Sequence, residues 1–170
     1  MYVCCEFLVS LLSLNVESPV LRNKFSHTLT LFFLSTYIEQ WESFFPDLFS
    51  LIRSSQQQST SSQSPTYNRH VALLFFHVIL EISGEVADQI IKSARSFSAV
   101  RLARDTRVRD LVRERDAARI NEAVLAIVSD EASRMSQMQK GDGNVDAQAL
   151  NEVVEVVDLG VRTFGSYVGE

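Results

Sequence analysis

Apolar residues recur three and four positions apart through almost the whole chain, and this spacing limits what it can fold into. Phe25, Leu29, Phe32 and Phe33 form one stripe. Trp41, Phe44, Phe45, Leu48, Leu51 and Ile52 form a second, and Val71, Leu74, Phe75, Val78 and Ile82 a third. Ile120, Val124, Ile127 and Val128 form a fourth, followed by Leu150, Val153, Val154, Val157, Val161 and Phe164. Residues at these intervals share one face of a helix. Strict alternation, the mark of a half-buried strand, is absent. Residues 153–157 are rich in β-branched side chains, but Glu152 and Glu155 fall away from the Val stripe, which favours helix. Turn formers are scarce as well: six Gly and three Pro in 170 residues is about 5%, against roughly 12% in average usage. Sandwiches and barrels need many tight turns and are excluded on that count.

The expected fold is therefore all-α, with antiparallel helix pairs packed as a bundle or stacked as a helical-repeat solenoid. The second stripe predicts a helix starting near Pro46, because proline is tolerated in a first turn. The third is expected to stop at Gly84 and the fifth to run past Gly160. Residues 54–66 read SSQQQSTSSQSPT, a polar tract that cannot bury enough surface to offset its ordering entropy. They are expected to form a disordered insertion between helices 1–53 and helices 67–170. Residues 139–146 read as a loop with two glycines.

Cys4 and Cys5 are the only cysteines. Neighbouring cysteines rarely pair, so no disulfide framework is expected and a reducing, intracellular setting is. The apolar start lacks a positive n-region and carries Glu6, which argues against a signal peptide. Polar residues also interrupt 25–38, so no membrane insertion is expected.

The overall charge of −5 hides a strong asymmetry. Residues 92–119 hold nine basic side chains against four acidic ones, a local +5 that leaves −10 for the rest. One continuous α-helix over 101–119 would place Arg101, Arg104, Arg115 and Arg119 on the face of Val108, Leu111 and Val112. A break is predicted instead. Asp105 or Thr106 would cap a short helix running to about Arg115, and Asp116 would cap the next. Val108, Leu111 and Val112 then face inward, while Arg109 and Arg113 face outward together.

Two readings of this stretch stand side by side. One is a solvated helix face laced with Arg–Asp and Arg–Glu pairs. The other is a phosphate-contacting patch, since Arg grips phosphate through a planar fork and outnumbers Lys thirteen to three here. Only Phe97 interrupts the stretch as an aromatic, so the second reading points to backbone and shape recognition of folded RNA over base stacking.

Catalytic signals are missing. There is no Gly-rich phosphate loop and no nucleophile elbow. His27, His70 and His77 lack the companion ligands of a metal site. Asp142, Asn144 and Asp146 mimic a calcium loop that fails at Ala147 and Val153. No catalytic residue, metal or cofactor is assigned, and the chain is not expected to be an enzyme.

Residues 21–52 resemble the N-terminal repeats of the exportin-T family of tRNA exportins, within the importin-β superfamily. The shared strings are Leu21-Arg22-Asn23-Lys24, then Trp41 with Phe44-Phe45. Residues 104–114, RDTRVRDLVRE, resemble a second family segment, and Glu85-Val86-Ala87-Asp88 an acidic element upstream of it. The closing FGSYVG of 164–169 resembles a third. The resemblance implies a HEAT-like solenoid and a nuclear export receptor. It would carry tRNA with Ran-GTP past nuclear pore components, shuttling between nucleus and cytoplasm. The family continues for many more repeats, so the chain reads as an N-terminal fragment truncated at its C-terminus. The local +5 makes Arg101, Arg104, Arg107, Arg109 and Arg113 the expected phosphate contacts to tRNA in such a receptor. Arg22 and Lys24 are read as caps or anchors of the repeat, without a ligand. A protein-binding HEAT adaptor without RNA binding and an unrelated helical-bundle enzyme remain alternatives.

Overall fold

A helix that is apolar on one stripe needs one neighbour, whereas a helix apolar on most faces needs several. Residues 71–82 are of the second kind. Val71, Leu73, Leu74, Phe75, Phe76, Val78, Ile79 and Ile82 are all buried, and the rest of the fold is arranged around them. The computed structural model describes residues 19–55, 68–92, 98–140 and 147–168. Its elements are α1 (Pro19–Thr36), α2 (Phe44–Ser54), α3 (Arg69–Lys92), α4 (Ala99–Leu111), a π-helical turn (Val112–Asp116), α5 (Ala117–Lys140) and α6 (Ala147–Val168). The described residues contain no strand. None of their helices is long and apolar enough to cross a membrane.

Helices α1, α2, α4 and α6 all pack on α3, and α5 packs on α6. Side-chain pairings give the directions. Arg22 at the start of α1 and Arg69 at the start of α3 both pair with Glu155. Further along, His27 meets Glu81, and Gly160 lies against Phe76. Helices α1, α3 and α6 therefore run the same way. Gly160 also lies against Val128 of α5, and Arg69 is close enough to Glu131 to act on its charge, so α5 runs the opposite way. The result is an all-α stack of antiparallel pairs, a segment of a HEAT-like solenoid.

The aromatic residues of the second stripe close the α1–α2 corner. Phe33 packs on Tyr37 at 4.5 Å and on Phe44 at 4.6 Å between ring centroids, and Phe49 reaches Phe75 of α3 at 6.2 Å. Trp41 lies in the turn before α2, where its Nε1 donates to Asp47 Oδ2 at 2.7 Å. Phe32, expected in the first stripe, is 44% exposed and leans on Trp41 at the rim. Pro46 sits in the first turn of α2, as its chemistry requires.

Two boundaries and one helix face differ from expectation. Gly84 does not end α3, which continues to Lys92; an exposed glycine costs a helix only about 1 kcal/mol against alanine. Helix α5 takes in Gln139 and Lys140, and residues 141–146 of the expected loop, with Asp142, Asn144 and Asp146, lie outside the described residues. On α6 the inward face is Val153, Val156, Gly160 and Thr163, while Val154 and Val161 are exposed. The shift follows from Gly160, whose missing side chain lets α6 settle on Val128 and Phe76. It also turns Glu155 towards Arg22 and Arg69. Arg22 thus anchors α1, as expected of it. Residues 56–66 of the polar tract, Cys4 and Cys5 fall outside the described residues.

Gly160→Ala is expected to destabilise the chain by about 1–3 kcal/mol, because its Cβ would overlap Val128 Cγ2. Gly84→Ala meets nothing within 4 Å and should stabilise by about 0.5–1 kcal/mol. Urea midpoints of the two variants should move in opposite directions.

Glu131 supplies a pH test. Burial pushes its carboxyl above the usual value, while Arg134 and Arg69 pull it down and Asp130 adds to the rise. The unfolded chain therefore ionises first. Stability from this group is complete below about pH 4.3 and is lost as pH rises through the folded value. Glu131→Gln should match the parent at low pH and gain on it as pH approaches 7, read as urea midpoints across the range.

Candidate nucleic-acid interface

The arginine-rich segment folds as one long helical rod from Ala99 to Lys140 with a π-helical turn in the middle. Ser98 begins it: its Oγ accepts from the Arg101 amide at 3.3 Å. The predicted break does not occur. Neither Asp105 nor Asp116 is a cap, and both are buried within the rod.

The inward seam is Asp105, Val108, Val112, Asp116, Ile120, Val124, Ile127 and Glu131. From Val108 to Val124 every step is four residues. In an α-helix each such step overshoots a full turn by about 40°, so the seam would leave the core within a few turns. The π turn takes up the excess by placing more residues in one turn, and the Ala117 amide donates to the Val112 carbonyl, five residues back. It resolves the clash between arginine and valine faces that the predicted break was meant to resolve.

Asp116 holds this turn in register. Tyr37 donates its hydroxyl to Asp116 Oδ2, and Arg115 Nε donates to the same oxygen at 3.2 Å. The Arg115 guanidinium lies 5.0 Å from the Tyr37 ring centre, and its Nη2 donates to the Glu42 carbonyl at 3.1 Å. Burial, reinforced by the bond to Asp116, pushes the Tyr37 phenol well above its ordinary pKa. It therefore stays a hydrogen-bond donor across the working pH range.

The five arginines assigned from sequence do not form one patch. Arg101 and Arg104 lie at 3.6 Å and 3.4 Å from the buried Asp105 carboxylate, which both serve. Arg109 turns to Asp110 at 2.8 Å. Arg107 and Arg113 are exposed. At about 100° per residue, the seam separates Arg104 and Arg107 on one flank from Arg109 and Arg113 on the other.

The first flank continues through residues that were not assigned. Arg115 reaches Glu42 in the turn before α2, and Arg119 stands 5.7 Å from the Phe49 ring centre of α2. Arg119 and Arg53 of α2 border a cleft of about 260 Å³ with Phe49, Ile52 and Glu122 on its walls. Arg115 and Arg119 were visible as charges, but only the π turn puts them on this flank. Arg53 is too far away in sequence to be grouped with them. Metal-ligating side chains meet elsewhere, where His27, Glu81 and Glu85 converge between α1 and α3.

Tyr37→Phe should cost about 1–3 kcal/mol by leaving a buried carboxylate short of a donor. The loss should show in the urea midpoint while far-UV circular dichroism keeps the native helix content.

Residues 18–170 match the family described as exportin 1-like protein. Exportin-T of Coprinopsis cinerea is 65% identical over 153 residues, covering 90% of this chain and 14% of the relative. Exportin-T of Laccaria bicolor is 58% identical over 169 residues, 99% of this chain and 15% of the relative. Exportin-T of Emericella nidulans is 30% identical over 151 residues, 86% of this chain and 13% of the relative. The chain thus spans about one seventh of the length of these relatives. No solved structure matches it.

Proposed function

The chain belongs to the exportin 1-like family, and from that premise we propose that it serves as part of a nuclear export receptor carrying tRNA with Ran-GTP. The observation that carries this reading is the 58–65% identity to exportin-T over nearly the whole chain. In this role the chain is a transport receptor and not an enzyme. It shuttles between nucleus and cytoplasm and touches nuclear pore components on the way. Binding of tRNA and Ran-GTP is mutually reinforcing, since coupling between two sites on one solenoid acts equally on both ligands.

The arginine rod supplies the phosphate contacts in this reading. Arg107, Arg109 and Arg113 offer their guanidinium groups to the RNA backbone. Arg101 and Arg104 add positive potential while they hold Asp105. Guanidinium groups suit this task because their donors match a phosphate edge.

A second reading, a protein-binding adaptor without RNA affinity, draws on a specific observation. Arg101, Arg104, Arg109 and Arg115 each have an aspartate within 3.6 Å. Arginines already paired in this way have less charge to offer a ligand.

The test grafts this chain in place of the matching segment of the Coprinopsis cinerea exportin-T and titrates tRNA with Ran-GTP present. Arg109→Ala with Arg113→Ala should weaken tRNA binding and reduce the salt slope by about 1–2. Arg162→Ala, on exposed α6, should change neither. Unchanged tRNA affinity and slope in the double variant would sink the phosphate assignment. A flat tRNA titration with Ran binding retained would favour the adaptor.

A further inference from the structure

We propose that His27, Glu81 and Glu85 form a Zn²⁺ site that clips α1 to α3. Each residue offers one ligand atom, and the three atoms lie within 4.8 Å of one another. His27 Nδ1 is 3.1 Å from Glu81 Oε2. Tetrahedral Zn²⁺ with bonds near 2.0–2.1 Å sets its ligand atoms about 3.3 Å apart. The His27–Glu81 edge is already near that spacing, and the remaining edges are no longer than 4.8 Å.

The chemistry selects the ion. One imidazole nitrogen and two carboxylate oxygens suit Zn²⁺, which takes mixed nitrogen and oxygen ligands and leaves a fourth position for water. Ca²⁺ and Mg²⁺ favour shells built from oxygen alone. Electrostatics also favours a cation here. Glu81 and Glu85 are four apart on α3, where like charges repel. A divalent ion neutralises both carboxylates and binds the neutral imidazole.

The scaffold is rigid and the ligands are reachable. Leu29 and Phe33 of α1 and Phe75, Ile79 and Ile82 of α3 belong to one buried core, so the backbones carrying the ligands are fixed. The side chains of His27 and Glu81 remain 49% and 37% exposed, open to an incoming ion. The site is separate from the arginine rod and does not depend on the RNA reading. Its effect is mechanical: bound metal ties two neighbouring helices of one layer and adds its binding energy to their packing.

The test uses the full 170-residue chain with Cys4→Ser and Cys5→Ser, so that thiols cannot compete, after removal of metal with chelator. Zn²⁺ is titrated calorimetrically and Co²⁺ serves as the optical probe. One equivalent should bind, Co²⁺ should give the visible absorption of a low-coordinate site, and Zn²⁺ should raise the thermal midpoint. His27→Gln and Glu81→Gln, both at the surface, should each weaken binding about tenfold or more, with circular dichroism unchanged. Excess Mg²⁺ should not displace Zn²⁺. Absence of saturable binding at submillimolar Zn²⁺ would overturn the site. So would binding that both variants leave intact, because the metal would then sit at other residues such as His70.

Discussion

Helix α3 has too much apolar surface for any single partner. Phe75, Phe76, Leu73 and Ile79 point in different directions around its axis, and each is within 1% of full burial. Four neighbouring helices are needed to keep water from it, and their placement follows from that need. Helix α2 brings Phe49 to Phe75. Helix α6 approaches closely enough that only glycine fits at 160 beside Phe76 and Val128. The ion pairs of Arg22 and Arg69 with Glu155 then fix how the starts of α1 and α3 align on α6. These pairs are partly buried, with the arginines more enclosed than Glu155. Their role is alignment, and burial of α3 drives the assembly.

The arginine rod meets a different constraint. Its apolar seam repeats every four residues, an interval that a straight α-helix cannot keep in contact with a core. The π turn corrects the phase, and the buried Tyr37–Asp116 bond fixes where the correction falls. Polar groups buried in the core demand partners, so Asp116 can occupy its position only while Tyr37 and Arg115 attend it. That arrangement turns Arg115 towards the turn before α2 and Arg119 towards α2, and leaves Arg109 and Arg113 on the opposite flank. The charge distribution offered to a ligand is therefore a product of core geometry. A basic segment that looks uniform along the chain becomes two rows separated by a seam of valines and aspartates.

Much of the architecture was legible before folding because it rests on local periodicity. The stripes of α2, α3 and α5 name residues that are mostly buried, but they miss Phe49, Leu73, Phe76 and Ile79, and on α1 only Leu29 and Phe33 of the four are buried. Where expectation and structure part, a residue far away in sequence decides. Tyr37 converts Asp116 from a helix cap into a buried acceptor. Val128 and Phe76 select Gly160 as the centre of the α6 face and so expose Val154 and Val161. Glu155 is drawn to arginines 133 and 86 positions away, which no spacing rule could anticipate.

The sequence by itself determined that the chain is helical, where most of its helices lie, that positive charge is concentrated in one segment, and which family it joins. These follow from side-chain periodicity, turn chemistry and short strings, all properties of neighbouring residues. Only the tertiary structure decided how that charge is divided, why the arginine rod stays continuous, and that His27 meets Glu81 and Glu85. Each of those depends on helix packing, which sets the phase of one helix against another and joins residues that the chain keeps apart.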